Sequence, residues 1–428
     1  MHTILRVFLL FLSVGIFLPS VTVGAETVRF LSSQLAPVEE AKKMREVILK
    51  DAPVNTEFIP FDDREFFHRL IRQQGDKTRQ IGLIGGVHGE FTIYKKDGLL
   101  RPLNDLLKAL APNRLLPAYL ELGRLDTEHQ YFIPWMQATY VMVANRQALG
   151  YLPPGADINA LTYDQFSQWG ARMAKETGSP RIGFPVGRSG LMHRFLQGYL
   201  YPSHTGGTVR GFRSANAVKM WQSFRALWPS VHPRSLTANS MDKPLLTGEI
   251  WVAWDHTARV MAALEAQPDD FIVFPAPAGP KGRGFMVVMA GLAIPAGKMD
   301  MGPATQLIAY LTKPETQLRT LSATGFFPVS GEIPDGDLAP GIRLAKQGIQ
   351  RQNESSDALP TLLPVGLGEM SAEFNNAYSL AFSQIVLRNR PIEGVLEKQA
   401  ARLADILAKM KAPCWPPDAA SQGPCPLE

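Results

Sequence analysis

The chain has 428 residues, 45% of them hydrophobic and 19% charged, with a formal net charge of +5 and two cysteines. That length suits two ordinary domains with sizeable cores, and no low-complexity tract marks a disordered chain. Lys/Arg and Asp/Glu are mixed throughout, without the clustered basic stripe that nucleic-acid binding requires.

At the N-terminus Arg6 precedes an apolar run from Val7 to Leu18, broken by Pro19 and Ser20. Val23-Gly24-Ala25 supplies the small residues signal peptidase prefers, so residues 1–25 are expected to be a cleaved signal peptide. The run is short of the ~20 apolar residues a membrane span needs. No cysteine lies near the cleavage point to take a lipid, so an exported, periplasmic protein without an anchor is expected.

Strands and helices then alternate. Thr27–Leu31 predicts a strand followed by a polar Ser32-Ser33-Gln34 turn, and Pro37 opens a helix with Val38, Ala41, Met44 and Ile48 on one face. Thr56–Ile59 is a second strand. Asp62 or Asp63 caps a helix striped by Phe66, Phe67, Leu70 and Ile71. Ile81–Ile84 is a third strand, with Gly85-Gly86-Val87-His88-Gly89 as its turn. Such alternation means a parallel sheet with helical crossovers, and ligands sit outside the carboxyl ends of its strands. The turns at Ser32–Gln34, Phe61–Asp63 and Gly85–His88 therefore share one rim.

A long extended run from His129 to Asn145 carries Pro134 near its middle. Thr162-Tyr-Asp-Gln165 fits a capping box for a helix with Phe166, Trp169 and Met173, and a later helix has Val218, Trp221, Phe224 and Trp228 at core spacing. Ile182–Val186 is a strand leading to Arg188-Ser189-Gly190. Ile250–Trp254 is another, ending at Asp255, and Phe285–Ile294 a further one. The segment after it carries Leu307, Ile308 and Leu311 at helical spacing. Two closing helices, Met370–Leu387 and Ile392–Lys411, follow, the second striped by Leu396, Leu403, Ile406, Leu407 and Met410. Cys414 and Cys425 flank a Pro-rich tail. With no Cys-x-x-Cys spacing and no nearby histidine, the pair reads as a disulfide staple that constrains the unfolded chain by roughly 3 kcal/mol at most.

Several phrases, taken in order, resemble the bacterial extracellular solute-binding proteins, the sugar-type family that serves ABC importers. They are Asp97-Gly-Leu-Leu-Arg-Pro-Leu-Asn-Asp-Leu, the aromatic run ending at Asn145, Leu245-Leu-Thr-Gly-Glu-Ile-Trp-Val-Ala-Trp-Asp255, Gly291-Leu-Ala-Ile-Pro-Ala-Gly-Lys298 and Thr324-Gly-Phe-Phe-Pro-Val-Ser330. The resemblance spans Glu26 to about Lys411. It implies an α/β, two-lobed periplasmic binding protein fold (type II-like), each lobe a mostly parallel sheet flanked by helices, with the ligand cleft at the hinge. Lobe one would hold 26–136 plus 289–329, and lobe two 137–288 plus 330–411, with 412–428 as tail. It also implies a monomer that binds a neutral or anionic carbohydrate, carries no cofactor or metal, and delivers its cargo to an ABC transporter permease in the inner membrane.

Sugar hydroxyls donate and accept, and sugar C–H faces stack on aromatics. Candidates at expected crevice positions are Gln34, Asp62, His88, Trp135, Tyr140, Arg188, Trp254, Asp255 and Arg283. Five of them have a plainer alternative. Trp135 packs the hinge; Trp254 is core and Asp255 caps the next helix; Arg188 is a solvated loop residue; His88 is a polar loop residue. No Gly-x-Ser-x-Gly, His-Glu-x-x-His, Walker or Gly-x-Gly-x-x-Gly motif occurs in context, Gly187-Arg-Ser-Gly190 coming nearest. A periplasmic carbohydrate-active enzyme using Glu90, Glu249 or Asp255 stays as the rival, beside a binding protein for a non-sugar solute. The absence of a Tyr-Tyr pair argues against ferric iron, and the few acidic residues visible at the cleft argue against a polyamine.

Overall fold

The computed structural model describes residues 27–35, 38–61, 68–72, 81–297, 300–331 and 338–428. The chain builds two sheets. The first contains β1 (Val28–Ser32), β2 (Thr56–Pro60), β3 (Leu83–Val87), β4 (Ile133–Ala138), β9 (Arg283–Ala293) and β10 (Ala358–Leu362). Its order is β10-β9-β3-β1-β2, with β4 also on β9. The second contains β5 (Tyr140–Asn145), β6 (Ile182–Gly183), β7 (Val252–His256) and β8 (Phe271–Phe274), in the order β6-β7-β5-β8.

The first sheet has the expected parallel nucleus, with Phe30 opposite both Phe58 and Leu83. The second departs from the mostly parallel sheet expected for each lobe. β5 runs antiparallel to both β7 and β8, and only β6–β7 is parallel. A parallel pair needs a crossover connection. β5 instead enters straight from β4 through Thr139, so its direction is set by the crossing and not by a strand–helix–strand unit.

Several boundaries move relative to the sequence expectation. β3 continues through Gly85 and Gly86 to Val87, and a helix starts at once at His88 (His88–Lys96), so no glycine turn forms. Gly85 serves packing: a Cβ there would press on the Phe30 ring at 2.9 Å. Val38 is 81% exposed and Ile71 half out, whereas Ala41, Met44, Ile48 and Leu70 are buried. The capping residues Asp62 and Asp63, and Phe66 and Phe67, lie outside the described residues. The Thr162 capping box forms: Gln165 N donates to Thr162 Oγ1 at 3.2 Å, and Thr162 N to Gln165 Oε1 at 3.0 Å. Its helix, Tyr163–Thr177, buries Phe166, Trp169 and Met173.

Side chains stitch the crossing between sheets to backbone groups. Thr139 Oγ1 donates to Met286 O at 2.7 Å, and Tyr199 Oη to Tyr140 O at 2.7 Å. Gln137 exchanges backbone bonds with Phe327, and its side chain donates to Pro328 O at 2.7 Å. β5 then presents Tyr140, Met142 and Ala144 to one core and Val141 and Val143 to another. Behind the crossing a groove of about 840 Å³ opens between Tyr119, Gln137, Phe285 and Phe327.

The closing helices Ser371–Phe382 and Ile392–Met410 pack aromatics against the second sheet's helices, as in Trp228–Phe382 at 4.9 Å. Cys414 and Cys425 are bonded. Asp418 seats the tail by accepting the amides of Thr208, Val209 and Arg210 at 2.7, 2.9 and 2.9 Å. Among the described residues no helix is long and apolar enough to cross a membrane.

Candidate functional site

Polar groups gather where the carboxyl ends of β1 and β3 face the β5–β7 pair at the centre of the second sheet. On the first side, Ser32 Oγ and the Gln34 backbone close a tight turn (Gln34 N to Ser32 Oγ, 3.0 Å), while Gln34 Nε2 donates to Ser33 Oγ at 3.2 Å. Ser33 Oγ donates to Glu90 Oε2 at 2.9 Å, and the same carboxylate oxygen accepts Val87 N at 3.1 Å. Glu90 thus caps its own helix from the first turn and ties it to the β1 turn, a favourable place for a negative charge. Next to it His88 is buried. Burial pushes its pKa down to about 4, the Met289 backbone pulling the other way and the Arg194 guanidinium adding to the fall. At neutral pH it is an uncharged imidazole, and no well-formed hydrogen bond satisfies either ring nitrogen. Gly89 lets this helix start approach the Leu363–Val365 segment; a Cβ there would meet Pro364 O.

The second side has an aromatic floor. Tyr140 and Trp254 stack with centroids 4.7 Å apart and planes 7° from parallel. Phe195 and Tyr199 abut Trp254 edge-on at 5.1 and 5.2 Å. On this floor stands His256, edge-on to Tyr140 at 5.1 Å; the neighbouring Asp255, opposite Val141, turns to the other face of the sheet. Asp255 is fully buried and accepts Met241 N at 2.8 Å and His256 N at 2.7 Å. Burial raises its pKa to about 7 against the pull of Arg259 and the two amides. His256 Nδ1 accepts Ala258 N at 3.3 Å, capping the Thr257–Ala266 helix, so the proton is assigned to Nε2. Burial first, and Arg259 second, lower the His256 pKa to about 3.

Two arginines complete this side. Arg259 Nη1 donates to Asn239 O at 2.7 Å and Ser189 O at 3.1 Å, which fixes the guanidinium against the Gly187–Gly190 loop. Its charge reaches Glu40 on the first side, whose pKa burial raises while Arg259 and Lys43 draw it back. Arg194 donates to Gln197 Oε1 at 3.2 Å and shares a narrow crevice with Val87, Glu90, Tyr94, Pro364 and Ser371. Burial, then Arg194 and Arg259, push His193 well below the ordinary histidine range.

Of the sequence candidates, Gln34, His88, Tyr140 and Asp255 come together here. Trp135 and Trp254 do not offer a face: both are wholly buried, Trp135 beside Phe30 at 5.5 Å, Trp254 beneath Tyr140. Asp255 sits inside β7, not beyond its end, because pairing with β5 continues to His256 opposite Tyr140. Arg283 is committed elsewhere. It lies in β9, pairs with Asp357 (Nε–Oδ1 3.0 Å), and donates to Leu161 O and Ala276 O. Arg188 is exposed at the rim, and Asp62 lies outside the described residues. Ser33, Glu40, His193, Arg194 and His256 were not singled out for the cleft; the sequence offered Glu90 only for the rival enzyme, and Arg259 only, beside Arg188 and Arg283, as a partner for a phosphorylated or sulfonated sugar. A signal existed for His256, which follows Asp255 at the end of the apolar strand, and for Arg259 in the first turn of the next helix; Arg194 had none, its helix being a single short turn. Among the described residues no group of three His, Cys, Asp or Glu is placed to hold a metal.

A family model described as bacterial extracellular solute-binding protein matches residues 53–318. Comparison with curated proteins gives no significant match. Among solved structures, UgpB from Mycobacterium tuberculosis in complex with glycerophosphocholine is similar with a TM-score of 0.69 at 18% identity, over 90% of this chain and 99% of that one. Maltose-bound MalE3 of T. maritima gives 0.69 at 16%, over 89% and 100%. A solute-binding protein from Agrobacterium vitis S4 with bound D-mannitol gives 0.68 at 17%, over 88% and 97%. At these identities the likeness establishes the two-lobed fold. With a family match that runs over more than half of its length, this chain belongs to the bacterial extracellular solute-binding proteins.

Proposed function

We propose that this chain is the substrate-binding component of an ABC importer and that it captures a carbohydrate between its lobes. The observation that carries this reading is the facing pair of polar walls. Guanidinium, imidazole, carboxylate, amide and hydroxyl groups, all directional donors or acceptors, converge at the carboxyl ends of β1 and β3 over an aromatic floor. A polyhydroxylated ligand is what such a set satisfies. Bound maltose and D-mannitol in similar structures support the same class.

Gln34, Ser33, Glu40 and His88 would meet the ligand from the first lobe, and Tyr140, His193, Arg194 and Arg259 from the second, with Trp254 and Asp255 as buttresses beneath. We keep the discontinuous division into lobes, 26–136 plus 289–329 against 137–288 plus 330–411. The division changes at three places: the crossings move to Thr139 and to the start of β9 at Arg283, and β10 (Ala358–Leu362) goes with the first sheet, where it pairs with β9. The protein would act as a periplasmic monomer, exported by residues 1–25, without catalysis, and its closed form would be recognised by a membrane permease.

The test is a thermal-shift screen of the mature protein against sugars, polyols, polyamines and amino acids, followed by calorimetry and product analysis. A ligand at a hundred times its Kd stabilises the folded state by about 2.7 kcal/mol. A clear shift with one carbohydrate class and no turnover is expected. A shift confined to amino acids or polyamines, or the appearance of product, overturns the proposal.

A further inference from the structure

Arginines in this molecule take carboxylate partners readily: Arg29 with Glu57 at 2.9 Å, Arg210 with Glu428 at 2.7 Å, Arg283 with Asp357 at 3.0 Å. The two at the cleft are different. Arg194 and Arg259 are both half-buried, and the partners of each are neutral oxygens, Gln197 Oε1 for one and the Ser189 and Asn239 carbonyls for the other. Among the described residues neither has a carboxylate within ion-pair distance.

Of the neighbouring carboxylates, Glu40 feels Arg259 from the facing wall but lies beyond ion-pair distance, and the other two are already engaged. Asp255 is sealed below the surface with an amide on each oxygen, and Glu90 is spent on Ser33 and its own helix start. A guanidinium carries five N–H donors, so most of the donor capacity of both arginines remains unspent. Arg194 precedes Phe195, which abuts Trp254, and Arg259 lies in the first turn of the helix that His256 caps beside Tyr140, so both belong to the surroundings of one stacked Tyr140–Trp254 pair. Holding two half-desolvated cations near each other is unfavourable unless an anion joins them, and charge-assisted bonds to guanidinium are stronger than neutral ones.

We propose that the ligand carries an anionic group, phosphate or carboxylate, on its polyhydroxylated body, and that Arg194 and Arg259 together receive it. This rests on the carbohydrate-binding reading above. Arg259 is held in place by the loop that follows β6, so it is pre-set for the anion, while Arg194, on a short helix beside the Pro364 segment, is placed to close on it.

Calorimetry on the mature protein with matched pairs tests this: hexose 6-phosphates and hexuronates, each against its neutral parent hexose, and glycerol 3-phosphate against glycerol. An anionic member is expected to bind at least about tenfold more tightly than its parent, with affinity falling as salt is raised. Arg194→Gln and Arg259→Lys should each lose about tenfold or more for the anion and clearly less for the neutral parent, so that the preference for the anion collapses. Arg259→Lys keeps a donor for the loop carbonyls, and melting temperatures report whether either variant is misfolded. The phosphate and uronate arms identify which anion is read. Neutral sugars that bind as tightly as their anionic partners, with no salt dependence, overturn the anion while leaving the carbohydrate reading in place. Failure of every sugar, neutral or charged, overturns both.

Discussion

The two walls of the cleft are built by opposite means. The first-sheet wall is shallow: Ser33, Gln34 and Glu90 hold one another by side-chain bonds at the mouth of β1 and β3. The second-sheet wall is deep: Tyr140 rests on Trp254, which rests on Phe195 and Tyr199, and the half-buried Arg194 and Arg259 stand beside this stack. Position on the first wall depends on a few polar contacts, and on the second on core packing. A substitution should therefore be felt locally on one side and through the whole lobe on the other.

The largest expected effect is on the deep wall. Trp254→Ala empties a fully enclosed site and should cost about 3–5 kcal/mol of stability, with ligand affinity falling as Tyr140 loses its support. Denaturant unfolding reads the first quantity. A loss under about 1 kcal/mol would mean that the floor is not load-sharing with the core. Glu90→Gln tests the shallow wall: one amide oxygen must serve two donors and the charge at the helix start is lost, for about 1 kcal/mol of stability. Its affinity should drop while Trp254 fluorescence and the second lobe stay native.

The buried titratable groups sharpen the contrast through pH. His88 and His256, with pKa values lowered to about 4 and 3, resist protonation in the folded state. Their contribution is present above the ordinary histidine pKa and is lost as pH falls below about 6.5. Asp255, raised to about 7, works in reverse, its contribution being lost as pH climbs from about 4 to 7. Asp255→Asn should therefore leave the two imidazoles unopposed, so that stability rises more steeply between pH 4 and 6.5, the window those shifts define. An unchanged slope in melting temperature against pH would contradict the burial of Asp255 in solution. The smallest effect belongs to Arg188→Ala: exposed, and without a side-chain bond among the described residues, it should change affinity less than about twofold.

Much of the architecture was legible because periodicity and capping are local. The Thr162–Gln165 box, the Phe166–Met173 stripe and the closing helices needed only neighbours within one or two turns. The glycines after Ile84 misled because the same residue that frees a turn also lets strands pack closely, and only the position of Phe30 distinguishes the two. The cleft was half legible. Gln34, His88, Tyr140 and Asp255 follow strands or crossings that the apolar pattern locates. Arg259 is fixed only because a loop brings the carbonyls of 189 and 239 to one guanidinium, and no spacing encodes that. Trp254 looked like a sugar platform because sequence gives its strand but not how many aromatics cover it.

Thr139, alone between β4 and β5, makes the connection between the lobes a matter of counting. Side chains alternate along a strand, so one residue inserted or deleted there would turn Val141 and Val143 to the core that expects Tyr140, Met142 and Ala144. The whole second lobe would then be presented with its faces exchanged. Surface loops of this chain can lengthen over evolutionary time at little cost, but at this crossing the number of residues is itself the inherited information, and a drift of even one would be read as a different protein.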